Sequence, residues 1–379
     1  MKDKILIFID SFLPGFKGGG PVTSISNLDK LLTKDFEVLI CTLNHDFGDE
    51  NIYETVPTNR ITNYNEHNVI YLSSLTLYEA YKVINNFSPD IIYLNSFFSI
   101  STLKVTLLNK LFFRNNLLVA PRGELQSNAL EIKKFKKLIF LQIYKFLGLH
   151  KKVIFHSTDQ IETVKVKKRF KNNFVIELQN AVQIHELKPL TKNKAELKVV
   201  FISRISKKKN LLYALNILSM VNHEVIFHIY GPIEDKDYWG KCLKLISNMP
   251  TNIHVNYMGS VKQENIVSKM REYHCFFLPT LSENFGHVIV ESMQAGLIPL
   301  ISDKTPWTDL KANSVGWDLA LDDHKKFVGA INSLFLMRHE EFLKKSSGVM
   351  QYIHEKLNTN KLKKGYLSTL NKIISKPTN

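Results

Sequence analysis

Short apolar runs rich in β-branched residues recur along the first half of the chain, alternating with stretches whose apolar positions follow helical spacing. The runs are KILIFI from Lys4, EVLICTL from Glu37, NVIYL from Asn68, DIIYLN from Asp90, NLLVAP from Asn116, VIFHS from Val153 and FVIEL from Phe174. LTLYEAYKVINNF from Leu75 and STLKVTLLNKLFF from Ser101 read as amphipathic helices between them. Strands apolar on both faces and separated by helices predict a parallel sheet covered on each side, a doubly wound α/β domain. VQIHELKPLTKNKAE from Val182 interrupts the pattern with a proline and several charges, and reads as a linker. The alternation restarts with LKVVFIS from Leu197, then EVIFHIYG from Glu224, HVNYMG from His254, CFFLP from Cys275 and PLIS from Pro299. From about Lys325 the chain reads as helical and basic. Two such domains in tandem are expected to face each other across a cleft, with ligands at the carboxyl ends of the strands.

A length of 379 residues exceeds one ordinary core and agrees with two domains. Lys and Arg number 50 against 35 Asp and Glu, a formal +15 that predicts an anionic partner: nucleic acid, phosphorylated substrate or acidic membrane surface. Nucleic-acid binding asks for aromatic residues interleaved with Lys and Arg on a strand face. The aromatics lie instead within the apolar runs, so no nucleic-acid partner is expected. Cys41, Cys242 and Cys275 are isolated, which excludes a disulfide framework and a thiolate zinc site and points to the cytoplasm. The N-terminal run ILIFI is followed by Asp10 and reads as a strand rather than a signal peptide. No stretch approaches the roughly 20 apolar residues that cross a bilayer, so any membrane association is expected to be peripheral.

Three loops that follow strands carry candidate chemistry. In SENFGHVIVESMQAGLIP from Ser282, Glu283 and Glu291 have seven residues between them, around an apolar segment. A buried carboxylate without a partner is costly, so the placement asks for a solvent exit or a ligand. A helix is expected to begin near Phe285, with Gly286 permitting close backbone approach and His287 and Glu291 sharing a face. Its N-terminus suits a phosphate, with the two acids flanking a phosphorylated sugar; a capping Glu283 and a solvated Glu291 are the competing structural reading. In FISRISKKKNL from Phe201, Arg204 and Lys209 can clamp a diphosphate. A solvated basic turn of Lys207, Lys208 and Lys209 is the alternative there. In DSFLPGFKGGGPVTSISNL from Asp10, Gly18, Gly19 and Gly20 precede a helix opened by Pro21. That loop is neither a dinucleotide fingerprint nor a Walker loop, and a plain connecting turn competes.

In this order the elements resemble the retaining nucleotide-sugar glycosyltransferases of family four, the glycosyl transferases group 1, which have the GT-B fold of two Rossmann-like domains. The likeness runs through PGFKGGGPVTSISNL, DIIYLNSFFS, APRGELQSNALEIKKFKK, VIFHSTDQIE, SRISKKKN, YGPIEDKDYW, ENFGHVIVESMQAGLIPLIS and KTPW. The resemblance implies an acceptor-side domain over residues 1–185, a donor domain over 186–358, and a helical segment over 359–379 packing back on the first. It implies that Glu291 binds ribose hydroxyls, that Glu283 contacts the donor sugar, and that Arg204 and Lys209 hold the diphosphate. The backbone from Asn284 through Phe285 and Gly286 to His287 is expected to face the sugar and its phosphates, with Gly19 and Gly20 approaching from the N-terminal side. Relatives carry a His after the strand that here reads NLLVAP, whereas this chain has Pro121, Arg122, Gly123 and Glu124. Arg122 and Glu124 are therefore candidates for positioning the acceptor, and His156 is another; a core histidine bonded to backbone competes for His156.

Such enzymes resemble transferases without an enzymic nucleophile, in which positioning and electrostatics carry catalysis. Asp235 and Asp237 form the D-x-D pattern by which another transferase fold holds a metal. With Arg204 and Lys209 offsetting the diphosphate charge, no metal and no cofactor is expected, the nucleotide sugar being a substrate. The implied activity is transfer to a saccharide, free or linked to polyprenyl diphosphate, in assembly of lipopolysaccharide, capsule or another surface polysaccharide. A nucleotide-sugar epimerase of the same architecture is the nearest enzymatic alternative. Finally, EIKKFKKLIFLQIYKFLGLHKK from Glu131 sets Lys133, Lys134, Lys136, Lys137 and Lys145 around Ile132, Phe135, Ile139, Ile143 and Phe146. Those apolar residues form one helical stripe, read first as core-facing, with contact to an anionic membrane as the sharper alternative.

Overall fold

The computed structural model describes residues 2–125, 134–185, 187–192 and 196–375. The chain divides into two compact units, one formed by Met1–Val182 with Thr359–Asn379 and the other by Gln183–Asn358.

The first unit is built on strands β1 (Lys4–Phe8), β2 (Glu37–Leu43), β3 (Ile61–Tyr64), β4 (His67–Leu72), β5 (Ile91–Asn95), β6 (Asn116–Ala120), β7 (Val153–Ser157) and β8 (Val175–Glu177). They lie in the order β3-β4-β2-β1-β5-β6-β7-β8. Among the described residues these strands pair in parallel, except β3 with β4. β1 sets Lys4 opposite Glu37 of β2 on one side and Ile5 opposite Ile91 of β5 on the other. Side chains alternate between the two faces, so Ile5 and Ile7 enter one core while Leu6 and Phe8 enter the other. The sequence pattern omits β3, whose residues ITNY are exposed or half-buried at the edge of the sheet.

The helices of this unit are α1 (Gly20–Leu32), α2 (Leu77–Phe87), α3 (Ile100–Leu108), α4 (Lys134–Phe146) and α5 (Gln160–Arg169), with a π-helical turn at Asn109–Phe113 continuing α3. Side-chain caps explain two starts: Thr76 accepts from the Glu79 amide, and Asp159 accepts from the Glu162 amide. α2, α3, α4 and α5 cover the face that holds Leu6 and Phe8, through residues such as Val83, Val105, Tyr144 and Val166.

The basic segment corrects one expectation. The stripe of Phe135, Ile139, Ile143 and Phe146 is exposed, and α4 instead buries Leu141 and Tyr144, with Phe140 half-buried beside them. The helix is apolar on two sides, and the aromatic side wins the core. Phe97 meets the rings of Phe140 and Tyr144 at 5.6 and 5.0 Å, and Phe98 meets Phe140 at 5.5 Å. Ile132 and Lys133, placed in the same segment by the sequence, lie outside the described residues, as does the side chain of Lys134.

The second unit carries β9 (Leu197–Ile202), β10 (Val225–Tyr230), β11 (Ile253–Tyr257), β12 (Cys275–Leu278), β13 (Ile298–Ser302) and β14 (Trp317–Leu319) in the order β11-β10-β9-β12-β13-β14. All its pairings are parallel. Its helices are α6 (Leu211–Leu218), α7 (Lys236–Ile246), α8 (Ile266–Met270), α9 (His287–Gln294), α10 (His324–Leu336) and α11 (His339–Leu357). The segment read as a linker has no regular secondary structure, yet it is fastened to this unit. The Leu190 amide donates to Ser346 Oγ at 2.9 Å, and the buried Lys192 ammonium donates to the Leu334 carbonyl at 2.7 Å, near the end of α10.

A last helix, α12 (Thr359–Ile374), belongs to the first unit. Tyr366, Leu370 and Ile373 are buried there with Val22, Ile25 and Leu28 of α1, on the face that receives Ile5 and Ile7.

Candidate active site

In a parallel sheet all carboxyl ends lie on one edge, and a ligand crevice opens where the winding reverses. In the second unit the chain leaves β9 for β10 and β11, then returns to the other side of β9 as β12. The loops after β9 and β12 therefore meet at the switch point. Lys209 comes from the first and Glu283 from the second, and the two side chains form an ion pair, each only about 11% exposed. Backbone bonds hold both loops in place. The Leu281 amide and the Thr280 hydroxyl donate to the Lys208 carbonyl at 2.8 and 3.0 Å, and the Asn210 side-chain amide donates to the Pro279 carbonyl at 3.0 Å.

Helix α9 begins at His287, two residues later than the spacing suggests, because Gly286 takes the left-handed φ of 76° and serves as its N-cap. That φ is strained for any residue with a side chain, and a Cβ there would also lie 2.8 Å from the Ile289 Cδ1. The preceding Phe285 is fixed from a third loop, after β13. Trp307 donates its indole N–H to the Phe285 carbonyl at 2.7 Å and packs against its ring. His287 is buried with its ring 4.8 Å from that of Phe285, while Asn284 is half-buried.

Glu291 lies on the second turn of α9. Its Oε1 accepts a 2.7 Å hydrogen bond from the Gln263 side chain, which comes from the loop after β11. Burial pushes its carboxyl up to about 7, and the Gln263 hydrogen bond opposes this only in part. Arg204 follows β9 and reaches Glu234, after β10, at 3.3 Å, in a pair more than a third exposed on each side. Such a pair contributes little to stability and exchanges partners readily. Gly231 brings these two loops together: its φ is 138°, and a Cβ there would stand 1.9 Å from the Ser203 carbonyl oxygen. Asp235 of the D-x-D pattern caps α7 by accepting from the Tyr238 amide at 2.9 Å.

The winding of the first unit reverses between β1 and β5. Asp10, after β1, accepts from Ser99 and Ser101, after β5, at 2.7 and 2.6 Å. The glycine-rich loop is anchored by the buried Asp46, which accepts from the Ser11 hydroxyl at 2.8 Å and from the Phe16 and Lys17 amides at 2.8 and 3.1 Å. Gly19 caps α1 with a φ of 64°, and its own N–H donates to the Phe16 carbonyl at 3.0 Å. Gly20 opens the helix and is exposed.

Arg122 and Glu124 are engaged by their own unit. Arg122 donates to Asn95 Oδ1 at 2.7 Å, to the Tyr93 hydroxyl at 3.0 Å and to Asn180 Oδ1. Glu124 accepts from the Ser96 hydroxyl at 2.8 Å and from the Phe97 and Phe98 amides at 2.7 and 3.1 Å, and so fastens the loop that leads into α3. His156 is fully buried, with Nε2 2.9 Å from the Leu178 carbonyl and Nδ1 2.7 Å from the Tyr93 hydroxyl. Burial first, and the Arg122 charge second, lower its pKa to about 3, so it is a neutral core histidine.

The structure thus gathers Lys209, Glu283, Glu291, Arg204 and the Asn284–His287 segment on the carboxyl edge of one sheet. Two residues there escaped the sequence reading, Gln263 and Glu234. Each is a polar residue in a polar loop, and only strand order makes it a neighbour of the site.

Two doubly wound parallel sheets are the architecture of the GT-B glycosyltransferases. Comparison with solved structures agrees. Sucrose-phosphate synthase from Thermosynechococcus elongatus superposes with a TM-score of 0.75 at 13% identity, covering 99% of this chain and 100% of that one. HepE from Anabaena, in complex with UDP and glucose, gives 0.72 at 13% identity over 98% and 100%. A TarM variant from S. aureus, in complex with Fondaparinux, alpha-GlcNAc-glycerol and UDP, gives 0.70 at 12% identity over 99% and 100%. At these identities the likeness establishes the fold.

Residues 183–346, within the second unit, match the family model described as "Glycosyl transferases group 1". An uncharacterized 41.2 kDa protein in the cps region of Klebsiella pneumoniae is 24% identical over 246 residues. That match spans 62% of this chain and 66% of the relative, just under two thirds of its length.

Proposed function

We propose that the chain is a retaining glycosyltransferase that moves a sugar from a nucleotide-diphosphate sugar to a saccharide or lipid-linked saccharide acceptor, without a metal, in bacterial surface polysaccharide assembly. The observation that carries this reading is the Lys209–Glu283 pair at the switch point of a group 1 domain. Support for the donor class comes from the complexes of HepE with UDP and glucose and of TarM with UDP. Support for the setting comes from the relative in a cps region.

In this mechanism the diphosphate lies against Lys209 and Arg204, and the ribose hydroxyls donate to Glu291. The bond between the anomeric carbon and the diphosphate oxygen breaks, and the electron pair leaves on the phosphate. The acceptor hydroxyl forms its bond on the same face of the sugar, and its proton passes to the departing phosphate oxygen. Lys209 and Arg204 stabilise the charge that collects there, where an electrostatic donor is most effective. Glu283 contacts the sugar and releases Lys209 as the diphosphate arrives. The cations beside β9 take the role a metal ion would otherwise fill, and Asp235 serves as a helix cap.

A thermal-shift screen of UDP-, GDP-, dTDP- and ADP-sugars tests the donor. One nucleotide sugar is expected to raise Tm, and Glu291→Ala is expected to remove that rise while the protein stays folded. A screen without a hit overturns the reading. The anomeric configuration of the product, read by NMR, decides the stereochemistry: an inverted product overturns the retaining step.

A further inference from the structure

The outward face of α4 is unlike the surface of an ordinary globular domain. Phe135 and Phe146 are 76% and 91% exposed, and Ile139 and Ile143 lie between them at 40% and 44%. At helical spacing these four side chains form a single stripe opposite the buried Leu141 and Tyr144, with Lys136 along one border and Leu138, 45% exposed, toward the other. The patch continues beyond the helix. The Lys110 ammonium donates to the Leu147 carbonyl at 2.6 Å, which brings the π-helical turn beside the end of α4, and Leu111 and Phe112 of that turn are 59% and 64% exposed.

The sequence that carries this stripe is basic. From Lys134 to Thr158 the sequence contains no Asp or Glu, and Lys151 and Lys152 follow α4 directly. From Ile91 to Gly123 there is again no acid, while Lys104, Lys110 and Arg114 are present. A second copy of this chain, offering the same cationic face, would set lysines against lysines. An apolar stripe carried on a basic stretch of chain matches an interface whose interior is hydrocarbon and whose surface is anionic.

We propose that this face of the first unit docks on an anionic lipid bilayer, with Phe135, Ile139, Ile143 and Phe146 entering the acyl boundary and Lys136 at the level of the lipid phosphates. No helix among the described residues is long and apolar enough to cross a membrane, so the contact is with one leaflet. The docking stands independently of the transferase reading, because the residues that carry it are absent from the nucleotide site.

Flotation of the full chain with vesicles tests it, using phosphatidylcholine alone and phosphatidylcholine with about one quarter phosphatidylglycerol. Binding to the anionic vesicles is expected, with at least a tenfold weaker partition to the neutral ones and loss in high salt. Phe135→Ser with Phe146→Ser is expected to lower the partition at least tenfold, and Lys136→Glu with Lys152→Glu is expected to remove the preference for anionic lipid. All four positions are outside the core, so circular dichroism and Tm should match the parent protein. Absence of vesicle binding, equal binding to both compositions, or unchanged binding of the double Phe variant overturns the proposal. A concentration-dependent dimer that the Phe variant dissociates, without vesicle binding, assigns the face to a second copy and also overturns it. Nucleotide-sugar binding measured on the same variants keeps the two readings apart.

Discussion

Glu291 offers a test in which function and stability move in opposite directions. Burial raises its carboxyl from an ordinary 4.5 to about 7. A ligand whose hydroxyls donate to Glu291 needs the carboxylate, and the complex then holds it at or below the ordinary value. Below about pH 7 the free protein must first lose a proton. The ionised fraction is about nine-tenths near pH 8 and about one-tenth near pH 6, so affinity is expected to fall about tenfold across that interval. A nucleotide sugar is the ligand to use, because its diphosphate is a diester with no group titrating in this range. Stability follows the opposite sign. A folded-state pKa above the unfolded value makes the folded protein hold the proton more tightly, so stability declines as pH rises from about 4.5 to about 7. The full cost above that range is about 3 kcal/mol, from a shift of roughly two and a half pKa units. Glu291→Gln removes it, so the variant should be up to about 3 kcal/mol more stable than the parent near pH 8 and equal to it near pH 4, while binding weakly with a flat pH profile. Calorimetric titration in two buffers of different ionisation enthalpy should read release of about half a proton per ligand near pH 7. Affinity independent of pH, or a variant less stable than the parent near pH 8, refutes the reasoning.

Other expectations concern the frame around that group. Glu283→Gln strips Lys209 of its partner, so a nucleotide sugar should raise Tm by more in this variant than in the parent, whereas Lys209→Met should lower affinity in both backgrounds; equal Tm shifts would count against the exchange of partners. Gly231→Ala places a Cβ against the Ser203 carbonyl and should cost about 3 kcal/mol or more in denaturant unfolding, with a cost below about 1 kcal/mol contradicting the close approach. Trp307→Phe removes the donor to the Phe285 carbonyl and should cost about 1 kcal/mol of stability while lowering nucleotide-sugar affinity, which circular dichroism melts and calorimetry would read. Excess EDTA should leave transfer intact; a loss restored by a divalent cation alone would contradict the metal-free mechanism.

The strands were legible because a sheet covered on both faces writes itself as continuous apolar runs, as in KILIFI and CFFLP. β3 and β14 were not, one because its residues ITNY are never fully buried and the other because WDL spans only three residues. Helix α4 exposes a deeper limit. Its apolar positions form two opposed faces, and periodicity cannot say which one meets the sheet. The choice fell to Phe97 and Phe98, in a loop after β5 that is remote in sequence. The carboxylates of the site were readable as a spacing, whereas their partners were not. Lys209 pairs with Glu283 because β12 returns beside β9, and Gln263 meets Glu291 through the loop after β11. Arg122 and Glu124 stood in a telling position of the motif, but their hydrogen bonds to Asn95, Asn180 and the Phe97 amide depend on strand neighbours.

The carboxyl edges of the two sheets hold their charges in different ways, and this bears on which edge meets an anion. In the first unit, Asp10, Asp46, Glu124 and Arg122 each have two or more donors or acceptors from neighbouring strands and loops of the same unit. Replacing any of those bonds with a ligand would leave a loop group unpaired, at a cost of about 1–3 kcal/mol each. In the second unit, Arg204 holds Glu234 through an exposed pair, and burial pushes the Glu291 carboxyl up to about 7, opposed only in part by the Gln263 hydrogen bond. Lys209 and Glu283 can each be satisfied separately when a diphosphate takes the cation and a sugar hydroxyl takes the acid. Exchange is cheap on that edge and expensive on the other. This difference favours the proposed placement of the charged donor on the second unit.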